Sequence, residues 1–237
     1  MESPVYLQVA DALERELARR KPGTQLASEH ALARRYAINR LTVRAALGEL
    51  ERRNVVRRAQ GRRASVADRI DYRIGPADPP SWTRSVVAGG GTPRSETVTL
   101  RRRRAPAPVR RVLRVGPSEA TLFLARRRYA NEVLAAYAET WLPADLVPDL
   151  AGVLAAEGSL FDALQRVYRL QPVRAATRAE FVVAPAPVAR MLNSDERPFV
   201  FALNGQTESA HLGRVVEATT SWLRADCFRV VFALGPQ

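Results

Sequence analysis

Asn39-Arg40-Leu41-Thr42-Val43-Arg44-Ala45-Ala46-Leu47-Gly48-Glu49-Leu50 decides how the first part of the chain folds. Val43, Ala46, Leu47 and Leu50 recur at three- and four-residue spacing and stripe one face of a helix, which Asn39 is placed to cap. Arg40, Leu41, Thr42 and Arg44 are left in the first turns, off the buried stripe. A cationic, hydroxyl-bearing helix start is what a recognition helix offers the major groove, and its free N–H groups favour a phosphate beside them.

Upstream, Tyr6, Val9, Ala10, Leu13 and Leu17 stripe a first helix that starts near Pro4 and is closed by Pro22-Gly23. Ser28 offers a cap to a short second helix with Ala31, Leu32 and Tyr36 inward, ending in a tight turn at Ala37-Ile38. Downstream, Asn54 suits a left-handed helix end. Val55 to Arg58 and Ala64 to Val66 then read as a hairpin around Gln60-Gly61-Arg62-Arg63, whose cationic tip suits either a minor groove or a phosphate backbone.

These residues in register carry a resemblance. Pro4-Val5-Tyr6 with Gln8-Val9, Leu26-Ala27-Ser28-Glu29, Leu32-Ala33, Leu41 to Leu47 and Gln60-Gly61-Arg62 closely resemble the winged helix-turn-helix of the GntR family of bacterial repressors. The resemblance implies base and phosphate contacts by Arg40, Thr42 and Arg44, with Asn39 and Leu41 beside them, and a wing tip at Gly61, Arg62 and Arg63. His30 stands where that family usually has a DNA-contacting arginine, Ala27 where it has proline, and Arg62-Arg63-Ala64-Ser65 where it shows Gly-Thr-Phe.

The whole chain is 237 residues long, with 37 Lys+Arg against 24 Asp+Glu, and Lys21 is its one lysine. That length allows one large or two small domains, and 46% apolar content excludes disorder as the default. An arginine excess of this size implies an anionic partner. One cysteine, Cys227, excludes an intrachain disulfide, and His30 and His211 alone give no zinc ligand set, so neither metal nor cofactor is expected. Charges at Glu2, Asp11, Glu14 and Arg15 and the lack of a long apolar run exclude a signal peptide and a membrane helix, so a soluble cytoplasmic protein is expected.

Gly75-Pro76, Pro79-Pro80, Gly89-Gly90-Gly91 and Pro93 break the helical pattern. We therefore divide the chain into a DNA-binding domain, 1–68, a linker, 69–81, and a second domain, 82–237. Beyond residue 95 come short β-rich runs: Val98 to Arg103, Leu122 to Tyr129, Ala135 to Leu142, Phe181 to Ala184, Phe199 to Gly205, Val215 to Leu223 and Arg229 to Leu234. Helical stretches fall at about 145–156, 159–168 and 185–192, so the domain is α+β.

Along Leu122 to Tyr129, alternation puts Arg126 and Arg128 on one face with Leu122 and Leu124. Inward guanidinium groups need an anion, so the pair is either a ligand clamp or one half of a structural salt bridge. Glu217 and Ser221 share a face of a later strand, opposite Val216, Ala218 and Trp222. Glu217 then either joins the same pocket or pairs with an arginine.

This second domain resembles the UTRA effector-binding domain of the HutC subfamily of GntR regulators, which shares its fold with chorismate lyase. The residues that carry the resemblance are Trp82-Thr83 with Gly89 to Pro93, Arg126-x-Arg128-Tyr129-Ala130-Asn131, Trp141-Leu142-Pro143, Ser159-Leu160-Phe161, Gly213 to Glu217 and Arg224-Ala225-Asp226. It implies an antiparallel sheet with flanking helices and effector contacts by Thr83, Arg126, Arg128, Ser159, Phe161 and Glu217, to which face-sharing adds Ser221. Ala138 in place of a glutamate and Phe161 in place of a tyrosine point away from an amino-sugar phosphate. Arg69 to Ile74, Trp82-Thr83 and Trp222 to Asp226 resemble the phosphonate-utilisation regulators of this subfamily. A phosphonate or phosphate ester suits two arginines with Thr83 and Ser159, since each donates to a dianionic oxygen.

The expectation is a dimeric repressor that binds double-stranded DNA at a pseudo-palindromic operator and responds to a small anion. Two rival classes are a chorismate-lyase-like enzyme, for which paired catalytic carboxylates are missing, and an architectural DNA-binding protein with no effector. Cys227 reads as a buried apolar residue, His211 as a turn residue, Trp82, Trp141 and Trp222 as core or pocket walls, and Arg101 to Arg104 as a solvated strand end or a second DNA contact.

Overall fold

A computed structural model describes residues 3–20, 23–53, 55–58, 63–67, 69–75, 81–130, 133–194 and 197–232. Gln60, Gly61, Arg62, Asn54, Pro22 and Asn131, all invoked above, lie outside these. The chain forms two compact units, Met1–Arg69 and Ile70–Gln237.

In the first unit α1 (Val5–Leu17), α2 (Glu29–Tyr36) and α3 (Arg40–Arg52) precede β1 (Val56–Arg57) and β2 (Ser65–Val66), an antiparallel pair with Val56 opposite Val66. Ser28 caps α2, accepting from the Ala31 amide at 3.2 Å, and Ala37 ends that helix in the left-handed conformation. Val9, Leu13, Leu32, Val43, Leu47 and Leu50 form the core where the three apolar stripes meet. Arg53, at the end of α3, donates to Asp11, Glu14 and Glu49 at 2.5–2.8 Å, tying α1 to α3. These bonds hold its guanidinium above its usual pKa.

In the second unit β3 (Ile70–Ile74) is followed by α4 (Trp82–Ala88), β4 (Pro93–Arg102), α5 (Ala107–Leu113), β5 (Thr121–Ala130) and β6 (Val133–Pro143). Next come α6 (Leu150–Glu157), α7 (Leu160–Asp162) running into a π-helical turn at Ala163–Val167, β7 (Pro172–Val183), α8 (Ala186–Met191), β8 (Phe199–Ser209), β9 (Arg214–Arg224) and β10 (Phe228–Phe232). Among the described residues six strands form one antiparallel sheet in the order β4-β5-β6-β9-β8-β7. The α+β class and the antiparallel sheet with flanking helices are as expected.

Ile70–Ile74 is not the start of a linker. It is a strand paired in parallel with β10, Phe228 opposite Ile70, and Ile70, Tyr72 and Ile74 are buried in alternation. β7 begins nine residues ahead of its expected start because it is a sheet edge, exposed along much of its length, and therefore shows no apolar alternation. α4 and α5, short and led by Ser81 and Pro106, escaped the periodicity reading.

Each face of the sheet has its own cover. Phe123, Ala125, Tyr137 and Trp141 pack with Leu113 of α5 and with Val188 and Leu192, of α8 and its C-terminal end. On the opposite face Leu124, Leu142 and Val216 pack with Leu150, Leu160 and Leu164 of α6, α7 and the π-helical turn, while Ala136, Leu203 and Leu223 meet Trp82, Tyr72 and Phe228. Val216 was expected opposite Glu217, on the face of Ala218 and Trp222. It lodges instead with Leu124 and Leu142, because the β8–β9 register steps from Glu217–Thr207 to Val215–Glu208 and leaves Val216 as an extra residue.

Candidate functional site

The α3 N-terminus is built by its cap. The Asn39 carboxamide oxygen accepts from the Thr42 amide at 2.8 Å and from the Thr42 hydroxyl at 3.0 Å, fixing the first turn. Arg40 and Arg44 both reach Glu29 on α2, at 3.6 and 2.9 Å, and both stay more than half exposed. Leu41 is 74% exposed, which the core does not explain. His30 and Arg63 are exposed as well. Glu29, which the sequence reading left out, therefore orients the two guanidinium groups that α3 presents, and its signal was only its position beside the Ser28 cap.

The second candidate lies on the sheet face that carries Leu124. Ala138 of β6 stands between Arg126 on β5 and Ser221 on β9, and Ala136 lies opposite Arg128. The small side chains of Ala136 and Ala138 leave room over the sheet. Arg126, Arg128 and Glu217 are each 6% exposed and converge with Thr83, Ser159 and Phe161 on one small cavity of about 20 Å³. That is room for about one water molecule. Ser221 is buried on the same face, between Ala138 and Leu203, and does not line the cavity.

Neither arginine forms an ion pair within 4 Å or a hydrogen bond with any described residue, and both Nε atoms are buried without a partner. Burial, then the charge of Arg128, pushes the Arg126 guanidinium down to about 9; burial lowers Arg128 also. Both groups still carry their charge at neutral pH. Glu217 accepts from the Thr207 hydroxyl at 2.9 Å, and burial raises its carboxyl above the usual range against the pull of that bond and of Arg126, Arg128 and Arg174. It is thus a neighbour of the clamp and not its salt-bridge partner.

Two wall residues, Ser95 and Ser81, were not anticipated, whereas Trp82 was expected as a core or pocket wall. Ser95 faces Arg128 across the β4–β5 ladder, hidden because β4 starts five residues before the expected Val98. Ser81 caps α4, and Trp82 lies under Arg128, whose guanidinium carbon is 5.6 Å from the ring centroid. The Trp82 indole N–H is also buried without a partner. Arg84 closes one side: it bonds Asp162 and Gln165 at 3.1 Å and covers the Phe161 ring at 4.6 Å, joining α4 to α7. Among the described residues there is no cluster of histidine, cysteine and carboxylate suited to a metal, and no helix is long and apolar enough to cross a membrane.

Comparisons with known proteins agree with both halves of this layout. Residues 88–229 match the UTRA domain, and residues 5–66 match the bacterial regulatory proteins of the gntR family. The chain is 27% identical over 201 residues to the mannosyl-D-glycerate transport/metabolism system repressor MngR of Escherichia coli, covering 83% of this chain and 82% of that protein. It is 23% identical to the HTH-type transcriptional repressor NagR of Bacillus subtilis, covering 96% of this chain and 93% of NagR. Its fold is similar to the crystal structure of PhnF from Mycobacterium smegmatis, with a TM-score of 0.64 and 25% identity over 97% of this chain and 100% of that one.

Proposed function

Because the chain belongs to the bacterial transcription regulators that join a gntR-type helix-turn-helix to a UTRA domain, we propose that it is a cytoplasmic repressor. It binds a pseudo-palindromic operator as a homodimer and lets go when a small dianion, a phosphonate or phosphate ester, enters the Arg126/Arg128 cavity. The regulator class sets aside the enzyme reading. The names of MngR and NagR support repression, and the likeness to PhnF accompanies the resemblance of Arg69 to Ile74 to phosphonate-utilisation regulators.

On the DNA side, Arg40, Thr42 and Arg44 contact bases and phosphates, Asn39 and Leu41 flank them, and His30, Gly61, Arg62 and Arg63 add backbone contacts. On the effector side one observation carries the reading: two buried guanidinium groups line one cavity, their Nε–H groups have no hydrogen-bond partner, and no described carboxylate lies within ion-pair distance of them. A dianionic oxygen cluster supplies what they lack, with Thr83 and Ser159 as further donors and Phe161 and Glu217 completing the wall.

The cavity is too small for a whole ester, so entry must part α4 from α7, which Arg84 joins. A ligand that prefers the parted state shifts the population toward it, and the operator-bound arrangement loses occupancy. The test is thermal melting of the full chain with methylphosphonate, 2-aminoethylphosphonate, inorganic phosphate and acetate, paired with fluorescence anisotropy on an operator selected from random DNA. One phosphorus anion raises the melting temperature, by the equivalent of about 2.7 kcal/mol at a hundredfold excess over Kd, and releases the DNA. If none of these anions moves either signal, the effector reading fails and the architectural one stands.

A further inference from the structure

The sheet carries a larger hollow on its other face, away from Arg126 and Arg128. It is a cleft of about 520 Å³ between α5 and strands β5, β6, β9 and β8, within the size range of small-molecule sites. Strand register lays its floor out in two rows. Phe123, Trp141, Ala218 and Gln206 follow one another across the strands, and Glu139, Thr220 and Asn204 form the next row. The first row is mostly apolar and the second polar. Ala218 is small where its cross-strand neighbours Trp141 and Gln206 are large, which opens the hollow, and Pro108 and Val112 of α5 wall it.

Among the described residues, two charged groups on this cleft lack charged partners. The Arg103 guanidinium lies 5.8 Å from the Phe123 ring centroid and 5.9 Å from that of Trp141, and no described carboxylate pairs with it. Glu139 accepts from the Tyr137 hydroxyl at 3.0 Å and from no cation. The two do not pair with each other. Around them, residues 101–128 hold ten arginines and one acid, Glu119, so the field favours an anion. An exposed guanidinium beside two aromatic rings, with no described carboxylate paired to it, is suited to a carboxylate whose body lies on those rings.

We propose that this cleft is a second ligand site, for a planar organic carboxylate bearing a hydrogen-bond donor. The ring lies along the Trp141–Ala218 row, its carboxylate meets Arg103, and its N–H or O–H donates to the row of Glu139, Thr220 and Asn204. The regulator then reads two anions on opposite faces of one sheet.

Indole-3-carboxylate is a suitable probe, measured by isothermal titration on the full chain, with indole and 1-methylindole-3-carboxylate as analogues that lack the carboxylate and the donor. Indole-3-carboxylate binds once per chain, each analogue binds at least tenfold more weakly, and saturating inorganic phosphate does not displace it. Arg103→Ala weakens it at least tenfold and Glu139→Gln removes the preference over the methylated analogue, both with the melting temperature of the parent protein. Absence of binding at millimolar probe overturns the proposal, as does binding that survives Arg103→Ala or is competed by phosphate. If Arg103→Ala instead changes the sedimentation of the ligand-free protein, the cleft is covered by a second copy and the proposal falls.

Discussion

Arginine is used in two opposite ways in the two units. Arg40 and Arg44 stand more than half in water on α3, each within reach of Glu29, and their charge costs the fold little. Arg126 and Arg128 are 6% exposed, repel each other and have no anion within ion-pair distance. The first pair is inexpensive to keep, and the proposed function assigns it to contacts outside the protein. The second pair is a standing destabilisation, which in the proposed function a ligand relieves, so that binding energy and folding energy would be coupled at one site and separate at the other.

The largest effect that tests this contrast is a gain in stability. Arg126→Met replaces a buried, unpaired charge with an apolar side chain of similar length, and such replacements often stabilise by about 1–4 kcal/mol. The variant should melt several degrees above the parent without ligand and show no further rise with methylphosphonate, while its affinity for operator DNA is kept or raised. A variant that melts lower than the parent means the guanidinium has a structural partner, and the contrast between the two pairs disappears.

A smaller effect separates the exposed pair. Arg44→Ala should leave the melting temperature close to that of the parent, since a surface change away from core and caps is usually within about 0.5 kcal/mol. Its operator affinity should fall by about 1–3 kcal/mol if Arg44 reads a base, with discrimination lost at that base pair. A uniform loss across all sequences with a shallower salt dependence would place it on a phosphate instead.

The same contrast explains what the sequence disclosed. α3 was legible because its stripe, its cap and its exposed arginines are all local, within twelve residues of one another. The inward turn of Arg126 and Arg128 was legible from strand alternation alone. Their partner question was not, because Glu217 lies 89 residues beyond Arg128 and its aim depends on a register step at Val216 that no periodicity encodes. Ser81, Ser95 and Arg84 come from elements that are too short, or too exposed on a sheet edge, to show a period, and Trp82 was legible only through the resemblance and as a core or pocket wall. Pocket walls contributed by short elements depend on tertiary packing, and local pattern says little about them.

The smallest effect concerns the cap that holds the exposed pair in place. Asn39 satisfies the Thr42 amide and hydroxyl together, so Asn39→Ala frees both and should cost about 1 kcal/mol of stability. The freed Thr42 hydroxyl and the loosened first turn also change the direction in which Arg40 leaves the helix. Operator affinity should therefore fall by more than the change in folded fraction explains, measured by anisotropy well below the melting temperature. Asn39→Asp separates the two contributions: it keeps the cap and its favourable charge at the helix start, but places a carboxylate where DNA phosphates approach. Stability should be kept while affinity drops and its salt dependence flattens. If Asn39→Asp binds operator as well as the parent does, the start of α3 does not face the phosphate backbone, and the exposed arginines lose the role that their contrast with the buried pair assigns to them.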